Sequence, residues 1–402
     1  MVREAENAHS SMFDSYTVLD AETTTFNKGH PHDPRNKLVS YAFKCANSPC
    51  SFKYFSDPDF SGRRPLDEIR GACVGFNFKF DCHWLYPAGC KNLIWDCQLA
   101  EHVYTGQKAQ FISLNECLER YGLETKKDLV KELWEAGYQT TEIPLPVLQE
   151  YNEWDVIQTE KLFLVQQELL SDEQKRLVYL LGEDLKVLAH IERAGLLFDT
   201  ASATPYLATL KEQVAGIELE LAKRLPAIQH GVFNWDSGDH LSCFLYGGTL
   251  TFDYAIGEPS VYKSGAKKGE SYTKNSWFEE CITFPQLFKP LQNTELKKTK
   301  DNQQATTRYY QTDLPTLSSL KGGGKEGKQV VALLLERSAK TKVVEMLESI
   351  FKLFDKFQWT DSLVHGQYNQ NVAVTGRLSS SAPNMQNIPP EIDQFFTSRY
   401  DN

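Results

Sequence analysis

Residues 16–24, with the sequence YTVLDAETT, constrain the fold most because they combine a strand pattern with two closely spaced acids. Aromatic and β-branched residues of this kind are typical of strands. Side chains alternate between the two faces of a strand, so Asp20 and Glu22 should project from one face while Leu19 and Ala21 pack behind them. Two neighbouring carboxylates repel each other, and a divalent cation such as Mg²⁺ or Mn²⁺ relieves that repulsion. The alternative is a strand end with two solvated acids.

The composition is typical of a globular protein with about two or three domains. Hydrophobic residues make up 41% and charged residues 24% of the 402. The sequence contains no apolar run of roughly 18 residues, and the polar residues 1–13 lack a signal peptide's apolar core. Nine cysteines without a CxxC pair argue against a disulfide framework or a zinc ribbon. We therefore expect a cytoplasmic protein, located in the host-cell cytoplasm if it is viral.

The charge is unevenly distributed along the chain. The net charge is −10, yet residues 288–342 contain eleven Lys and Arg against five acids, a local +6 that leaves −16 for the rest. An acidic metal-binding part and a basic part would suit an enzyme that acts on DNA. A basic stretch of this length is also compatible with an ordinary solvated surface.

The first part of the chain predicts a mixed α/β arrangement. Strands are predicted at 38–43, 51–55 and 72–75, with the early strands forming a meander. A short helix should follow the last of them, capped by Asn77 and carrying Asp81 in its first turn. The alternative role for Asp81 is simple stabilisation of the helix dipole.

The middle of the chain predicts several helices. Asp96 should cap a helix that follows a short strand at 93–95, and 111–136 should form two helices divided at 121–122. The next helix is predicted to begin at Pro146. Its spacing of three and four places one set of residues on a single face: Leu148, Tyr151, Asp155, Thr159 and Leu162. An inward-facing aspartate needs a partner, since burying an unpaired charge is costly.

The remainder of the chain predicts long helices and one β-rich insertion. Helices are expected at 183–194, 204–225, 239–245 and 329–357. Residues 246–327 are rich in Gly, Lys, Ser, Thr and Tyr, with a β-type fragment at 308–312. This composition predicts a β-ribbon or a long, partly mobile excursion.

Four acids from three predicted elements could form one metal site: Asp20, Glu22, Asp81 and Asp155. Two divalent ions held by them would activate water and stabilise both oxygens of an in-line displacement at phosphorus. Tyr151 lies one helical turn before Asp155 and would orient the attacking water. The residues alone thus favour a phosphodiester hydrolase.

Three ordered motifs resemble those of the proofreading 3′→5′ exonuclease domain of family A DNA polymerases. They are residues 20–24 (DAETT), 77–81 (NFKFD) and 151–155 (YNEWD). The resemblance implies an RNase H-like fold and two Mg²⁺ or Mn²⁺ ions per site. It assigns metal binding to Asp20, Glu22, Asp81 and Asp155, water orientation to Tyr151, and substrate-strand contact to Asn77.

A fourth motif is similar to the family's segment that grips the primer–template minor groove. It comprises 365–371 (HGQYNQN) and 375–389 (TGRLSSSAPNMQNIP). Arg377 suits the minor-groove acceptors that every base pair presents, and small hydroxyls suit phosphate contacts. The DNA-binding residues implied by this resemblance are Thr375, Arg377, Ser379, Ser380, Asn384, Gln386 and Asn387, with Arg337, Lys340 and Lys342 placed for backbone contacts on a thumb helix.

The resemblance implies three domains. These are an RNase H-like exonuclease domain at 1–180, a helical thumb at 181–362 with an insertion at 246–327, and the start of a palm at 363–402. The polymerase aspartates and the fingers are not among these residues, so either the sequence is a truncated product or nucleotide addition would need a second polypeptide that carries them. The expected protein is the N-terminal subunit of a split, phage-like family A DNA polymerase that binds DNA. The alternatives are a stand-alone 3′→5′ single-strand DNA exonuclease and a non-catalytic DNA-binding assembly module.

Overall fold

The computed structural model describes residues 15–55, 69–86, 89–125, 129–262, 264, 267, 270–292, 294–296 and 309–398. The chain divides into two compact units, of which one comprises Met1–Ala203 with Met346–Asn402 and the other Thr204–Glu345. Residues 1–13, predicted to lack a signal peptide, lie outside the described residues. So do four of the basic residues used in the charge argument: Lys297, Lys298, Lys300 and Arg308. The three functional domains inferred from the sequence use other bounds and stay a prediction.

The first unit is built on a five-stranded mixed sheet. Its strands are β1 (Tyr16–Thr23), β2 (Leu38–Cys45), β3 (Ser51–Tyr54), β4 (Ala72–Gly75) and β5 (Ile94–Asp96). The sheet order is β3-β2-β1-β4-β5; the pairs β1–β2 and β2–β3 are antiparallel, and the pairs β1–β4 and β4–β5 are parallel. The meander and the fourth strand predicted from the sequence are confirmed.

Helices cover both faces of this sheet. They are α1 (Lys79–Leu85), α2 (Cys97–Tyr104), α3 (Leu114–Arg120), α4 (Leu129–Glu135), α5 (Leu145–Leu169) and α6 (Asp172–Ala194). Successive side chains of β1 point to opposite faces of the sheet, so they pack against different helices. Val18 packs in a cluster with Val156 and Phe163 of α5. Leu19 packs in a separate cluster with Leu85 of α1 and Leu185 of α6.

The later part of the same unit forms two small sheets. Strand β6 (Leu196–Phe198) lies between two late strands in the order β11-β6-β14, where β11 is Leu363–Val364 and β14 is Phe396–Thr397. Strands β12 (Gln367–Asn369) and β13 (Ser379–Ser381) form an antiparallel pair. A short helix, α11 (Pro390–Asp393), precedes β14.

The second unit is organised around a long β-hairpin. Strands β7 (Gly248–Val261) and β8 (Ser271–Phe284) pair antiparallel over 14 residues each, which confirms the predicted β-ribbon. Its base packs with apolar residues of helices that include α8 (Gly238–Tyr246) and α10 (Gly324–Phe357). The unit also contains most of α7 (Thr200–Ala222), the pair β9 (Glu295–Leu296) and β10 (Tyr309–Tyr310), and α9 (Leu314–Ser319). Among the described residues, no helix is long and apolar enough to cross a membrane.

Candidate metal centre and nucleic-acid interface

The acids of β1 lie where this strand extends beyond its parallel neighbour. β4 pairs with the first three residues of β1, from Tyr16 to Val18. Asp20 and Glu22 follow and are half-buried, whereas the alternating residues Leu19 and Ala21 are buried. The predicted alternation is confirmed, so both carboxylates project from the same face.

Helix α5 brings a third carboxylate to this face. Oxygens of Asp20, Glu22 and Asp155 lie within 4.8 Å of one another. Residues 16–22 and 145–169 are far apart in sequence, and the packing of α5 on β1 causes the convergence. Three clustered carboxylates provide hard oxygen ligands at close range, the donor set that Mg²⁺ and Mn²⁺ prefer.

The fourth predicted acid, Asp81, lies next to this cluster. Its Oδ1 accepts a hydrogen bond of 2.9 Å from the backbone N–H of Ala21, the residue between the two β1 acids. Only 2% of Asp81 is exposed. Burial, followed by the negative charge of Asp20, holds the pKa of Asp81 well above its usual range. A cation bound beside Asp81 would oppose both effects and favour the ionised carboxylate.

Asn152 orients Asp20, a role that no motif in the sequence indicates. Its Nδ2 donates to Asp20 Oδ2 at 2.6 Å and to the Asp20 carbonyl oxygen at 3.2 Å. Its Oδ1 accepts a hydrogen bond from Ser40 Oγ at 3.3 Å. The side chain is completely buried on α5. The one available signal was its position, three residues before Asp155 on the same helix.

Tyr151 is half-buried at the edge of the same helix. Its ring packs edge-to-face on Trp134 of α4, with centroids 5.6 Å apart. This packing fixes the ring of Tyr151 one turn before Asp155. The role of its hydroxyl in orienting water stays a prediction.

The prediction that Asn77 caps α1 is wrong. The helix begins after Phe78, which makes no side-chain cap, and Asn77 has a φ of 55°. The Asp96 carboxylate instead accepts the N–H groups of Asn77 and Phe78, at 3.3 and 2.8 Å. Asp96 also caps α2, as predicted, by accepting from Gln98 and Leu99. The buried carboxylate of Asp96 therefore fixes the starts of both α1 and α2. Contact of Asn77 with a substrate strand stays a prediction.

Some of the polar residues in the segment that resembles a minor-groove motif are exposed to solvent. Thr375, Arg377, Gln386 and Asn387 are exposed. Asn384 caps a turn of 3₁₀-helix, Met385–Asn387, by accepting from the Gln386 N–H. The β12–β13 pair joins the two parts of the motif, 365–371 and 375–389.

The hydroxyl of Ser380 has a structural role. It donates to the Pro383 carbonyl oxygen at 3.4 Å and accepts from the Met385 N–H at 3.1 Å, in a buried position. Ser379 is half-buried, and its Oγ donates to the Asn369 carbonyl oxygen at 3.5 Å. The phosphate contacts inferred for these serines would require the hydroxyls to leave these partners.

Arg337, inferred to contact the DNA backbone, forms ion pairs with acids of the protein itself. Its guanidinium forms ion pairs with Glu218 at 2.7 Å and Asp236 at 2.8 Å, and 7% of the residue is exposed. Lys340 donates to Gln213 at 2.8 Å. Lys342 is exposed, so it is the member of this group best placed for a phosphate.

Comparisons with known proteins point to one family. Residues 284–400 match the sequence model of DNA polymerase family A. DNA polymerase I of Synechocystis sp. is 26% identical over 323 residues, and DNA polymerase I of Pseudomonas aeruginosa is 40% identical over 93 residues. These matches cover 79% and 20% of this chain, and 27% and 10% of the two relatives. The chain is therefore related to family A DNA polymerases, and its matches span about a quarter or less of those relatives.

A solved structure shares the fold. The POL domain of Pol1 from M. smegmatis, in complex with DNA primer-template and dNTP, aligns with a TM-score of 0.57 and 17% identity. The alignment covers 98% of this chain and 56% of that one. The mixed α/β architecture thus matches that of a DNA polymerase domain.

Proposed function

We propose that this relative of the family A DNA polymerases carries a metal-dependent 3′→5′ exonuclease site on β1, α1 and α5. The observation that carries the proposal is the convergence of Asp20, Glu22 and Asp155 within 4.8 Å. The buried carboxyl of Asp81, hydrogen-bonded to the backbone between the two β1 acids, supports it further. A mixed sheet flanked by helices is also what an RNase H-like domain requires.

The carboxylates have a defined division of labour in this proposal. Asp20, Glu22 and Asp155 would hold divalent cations. Asp81, which lies on α1, would complete the ligand set. Two Mg²⁺ or Mn²⁺ ions, when bound, supply an activated water and neutralise charge at the scissile phosphate. Asn152 keeps the Asp20 carboxylate in one orientation, because its amide donates to Oδ2.

Tyr151 and Asn77 complete the proposed site. Tyr151 would hold the attacking water through its hydroxyl, with its ring fixed against Trp134. Asn77 would contact the 3′ strand near the start of α1. Asp96 accepts a hydrogen bond from the backbone N–H of Asn77, whose side chain does not cap α1.

We further propose that the segment around β12 and β13 binds the primer–template duplex. The exposed side chains of Thr375, Arg377, Gln386 and Asn387 support this role. Arg377 would donate to minor-groove acceptors that all base pairs share, which tests pair geometry without reading sequence. Nucleotide addition would require palm aspartates and fingers supplied by a second polypeptide, a part of the proposal that rests on the resemblance alone.

The exonuclease proposal is tested with a 5′-labelled single strand incubated with the full chain and Mg²⁺. We expect a ladder of products that shorten from the 3′ end and keep their label. The double variant Asp20→Asn with Glu22→Gln should abolish the ladder. Glu150→Gln removes an exposed carboxylate of the same helix α5 and is the matched control, which should degrade the strand normally.

Two results would overturn the proposal. Degradation at the normal rate by the double variant would mean that these acids do not catalyse hydrolysis. A wild-type chain that binds DNA but never shortens it in Mg²⁺ or Mn²⁺ would favour a non-catalytic binding module.

A further inference from the structure

A second cluster of ligand-type side chains lies in the first unit. Ligand atoms of His32, His83 and Glu192 are within 4.8 Å of one another. His32 belongs to the connection between β1 and β2, His83 to α1, and Glu192 to α6. The exonuclease proposal makes no use of this cluster.

The carboxylate of Glu192 is oriented by partners on one of its oxygens. Oε1 accepts from Lys79 Nζ at 2.6 Å and from the Tyr368 N–H at 2.7 Å. Oε2 points to His83 Nε2 at 2.9 Å. The side chains of His83 and Glu192 are each 3% exposed. Such outer donors orient a carboxylate so that its second oxygen, here in contact with His83 Nε2, can coordinate a metal.

One ring nitrogen of the cluster lacks a partner in the described part of the chain. His32 Nε2 is buried and has no hydrogen-bond partner among the described residues. Buried polar atoms normally have a partner, so this nitrogen needs an explanation.

The position of His32 is fixed from two sides. Its ring stacks on His365, with centroids 4.4 Å apart and planes 11° apart. Its carbonyl oxygen accepts a hydrogen bond of 2.7 Å from Trp359 Nε1. His32 therefore faces His83 in a preorganised connection.

We propose that His32, His83 and Glu192 form a binding site for Zn²⁺ or a similar borderline divalent cation. Two imidazoles and a carboxylate suit zinc, whereas Mg²⁺ prefers oxygen ligands. Ligands of one tetrahedral zinc lie about 3.3 Å apart, given metal–ligand bonds of about 2.0–2.1 Å. The 2.9 Å between His83 Nε2 and Glu192 Oε2 needs to widen by only a few tenths of an ångström.

The consequence of this site is mechanical. A bound ion would cross-link the β1–β2 connection, α1 and α6, and α1 also carries Asp81. Since Asp81 lies two residues before His83, the ion would fix the helix that presents the buried acid of the proposed exonuclease site. Water would fill the remaining coordination position.

The test uses the full chain with Asp20→Asn and Glu22→Gln, which disables the separate carboxylate cluster. The protein is stripped with a chelator, titrated with ZnCl₂ or CoCl₂, gel-filtered and analysed for metal. We expect one retained equivalent of zinc, a higher Tm, and the intense visible absorption of four-coordinate Co²⁺. His83→Gln should abolish retention, and His190→Gln, an exposed imidazole on α6, should leave it unchanged.

His32→Gln provides a second variant in case His83→Gln fails to fold. Its position outside a regular element makes loss of the fold less of a concern. We expect a loss of zinc affinity of at least about tenfold, in line with the removal of a metal ligand or its support. The proposal is overturned if the stripped protein retains no zinc. Equal retention by a folded His83→Gln or His32→Gln chain would overturn it as well.

Discussion

Replacement of Asn152 by leucine tests how the proposed metal centre is held together. The buried amide makes three hydrogen bonds, two to Asp20 and one from Ser40. The bond to the Asp20 carboxylate is worth about 1.5–3 kcal/mol, and each of the two neutral bonds about 0.5–1.5 kcal/mol. Water can reach the half-buried carboxylate and recover part of this loss. We therefore expect the free energy of unfolding to fall by about 2–4 kcal/mol.

The same change should weaken the metal site. Removal of a residue that orients a ligand typically costs about 10–100-fold in metal affinity or activity. We expect the Mg²⁺ concentration for half-maximal nucleotide release to rise, or the rate to fall, by a factor in that range. Urea unfolding measures the first effect, and the rate at which a 5′-labelled strand shortens across a Mg²⁺ titration measures the second.

Gln149→Leu is the matched control for Asn152→Leu. Gln149 lies on α5, is exposed, and donates to Glu153 at 2.8 Å. It should change neither stability nor the Mg²⁺ dependence by a measurable amount. If Asn152→Leu showed the wild-type Mg²⁺ dependence while still folded, Asp20 orientation by the amide would have no part in catalysis.

Three further predictions follow from single residues. Asp81→Asn should end nucleotide release and raise the Tm of the metal-free protein by about 2–4 °C. The reason is that the folded-state pKa of Asp81 lies above its unfolded value, so its stabilising contribution is present at low pH and is lost as pH rises. The Tm difference between variant and wild type should therefore shrink towards acid pH, and a constant difference would contradict this reasoning. Arg337→Gln should destabilise the second unit by about 1–3 kcal/mol with little change in the salt dependence of DNA binding. Lys342→Gln should lower the slope of log affinity against log salt concentration by about one. The opposite pattern in salt-titrated binding curves would mean that Arg337, and not Lys342, contacts the DNA backbone. Arg377→Ala should leave single-strand hydrolysis unchanged and weaken primer–template binding, and a loss of both activities would argue against separate sites.

The sequence predicted the elements that depend on local periodicity. The alternation in β1 correctly placed Asp20 and Glu22 on one face. The spacing of three and four residues in α5 correctly predicted a long helix that begins near Pro146. Both patterns follow from backbone geometry, so they can be read without knowing the tertiary contacts.

The sequence could not predict partners that are set by tertiary packing. Asn152 is a common helix residue, and its role depends on how α5 lies on β1. The resemblance to a thumb helix assigns Arg337 to the DNA backbone, but its ion pairs are with Glu218 and Asp236, residues about 100 positions away in the sequence. Asp96 accepts hydrogen bonds at the starts of two helices. At the start of α1 it accepts from the N–H groups of Asn77 and Phe78, where the sequence predicts a cap by Asn77.

The histidine cluster has the same origin. His32, His83 and Glu192 have no motif spacing in the sequence, and they meet because α1 and α6 pack together beside the β1–β2 connection. A search for metal-binding motifs cannot find such a group, since each ligand comes from a different element.

The most direct test of the central claim is to locate Mn²⁺ in a crystal of this chain by anomalous diffraction. Crystals should be grown with Mn²⁺ and a short single strand whose 3′ end can enter the proposed site. We predict anomalous peaks bound by Asp20, Glu22 and Asp155, next to the terminal phosphodiester. Mn²⁺ bound elsewhere in well-ordered crystals, with no peak at these carboxylates, would contradict the account.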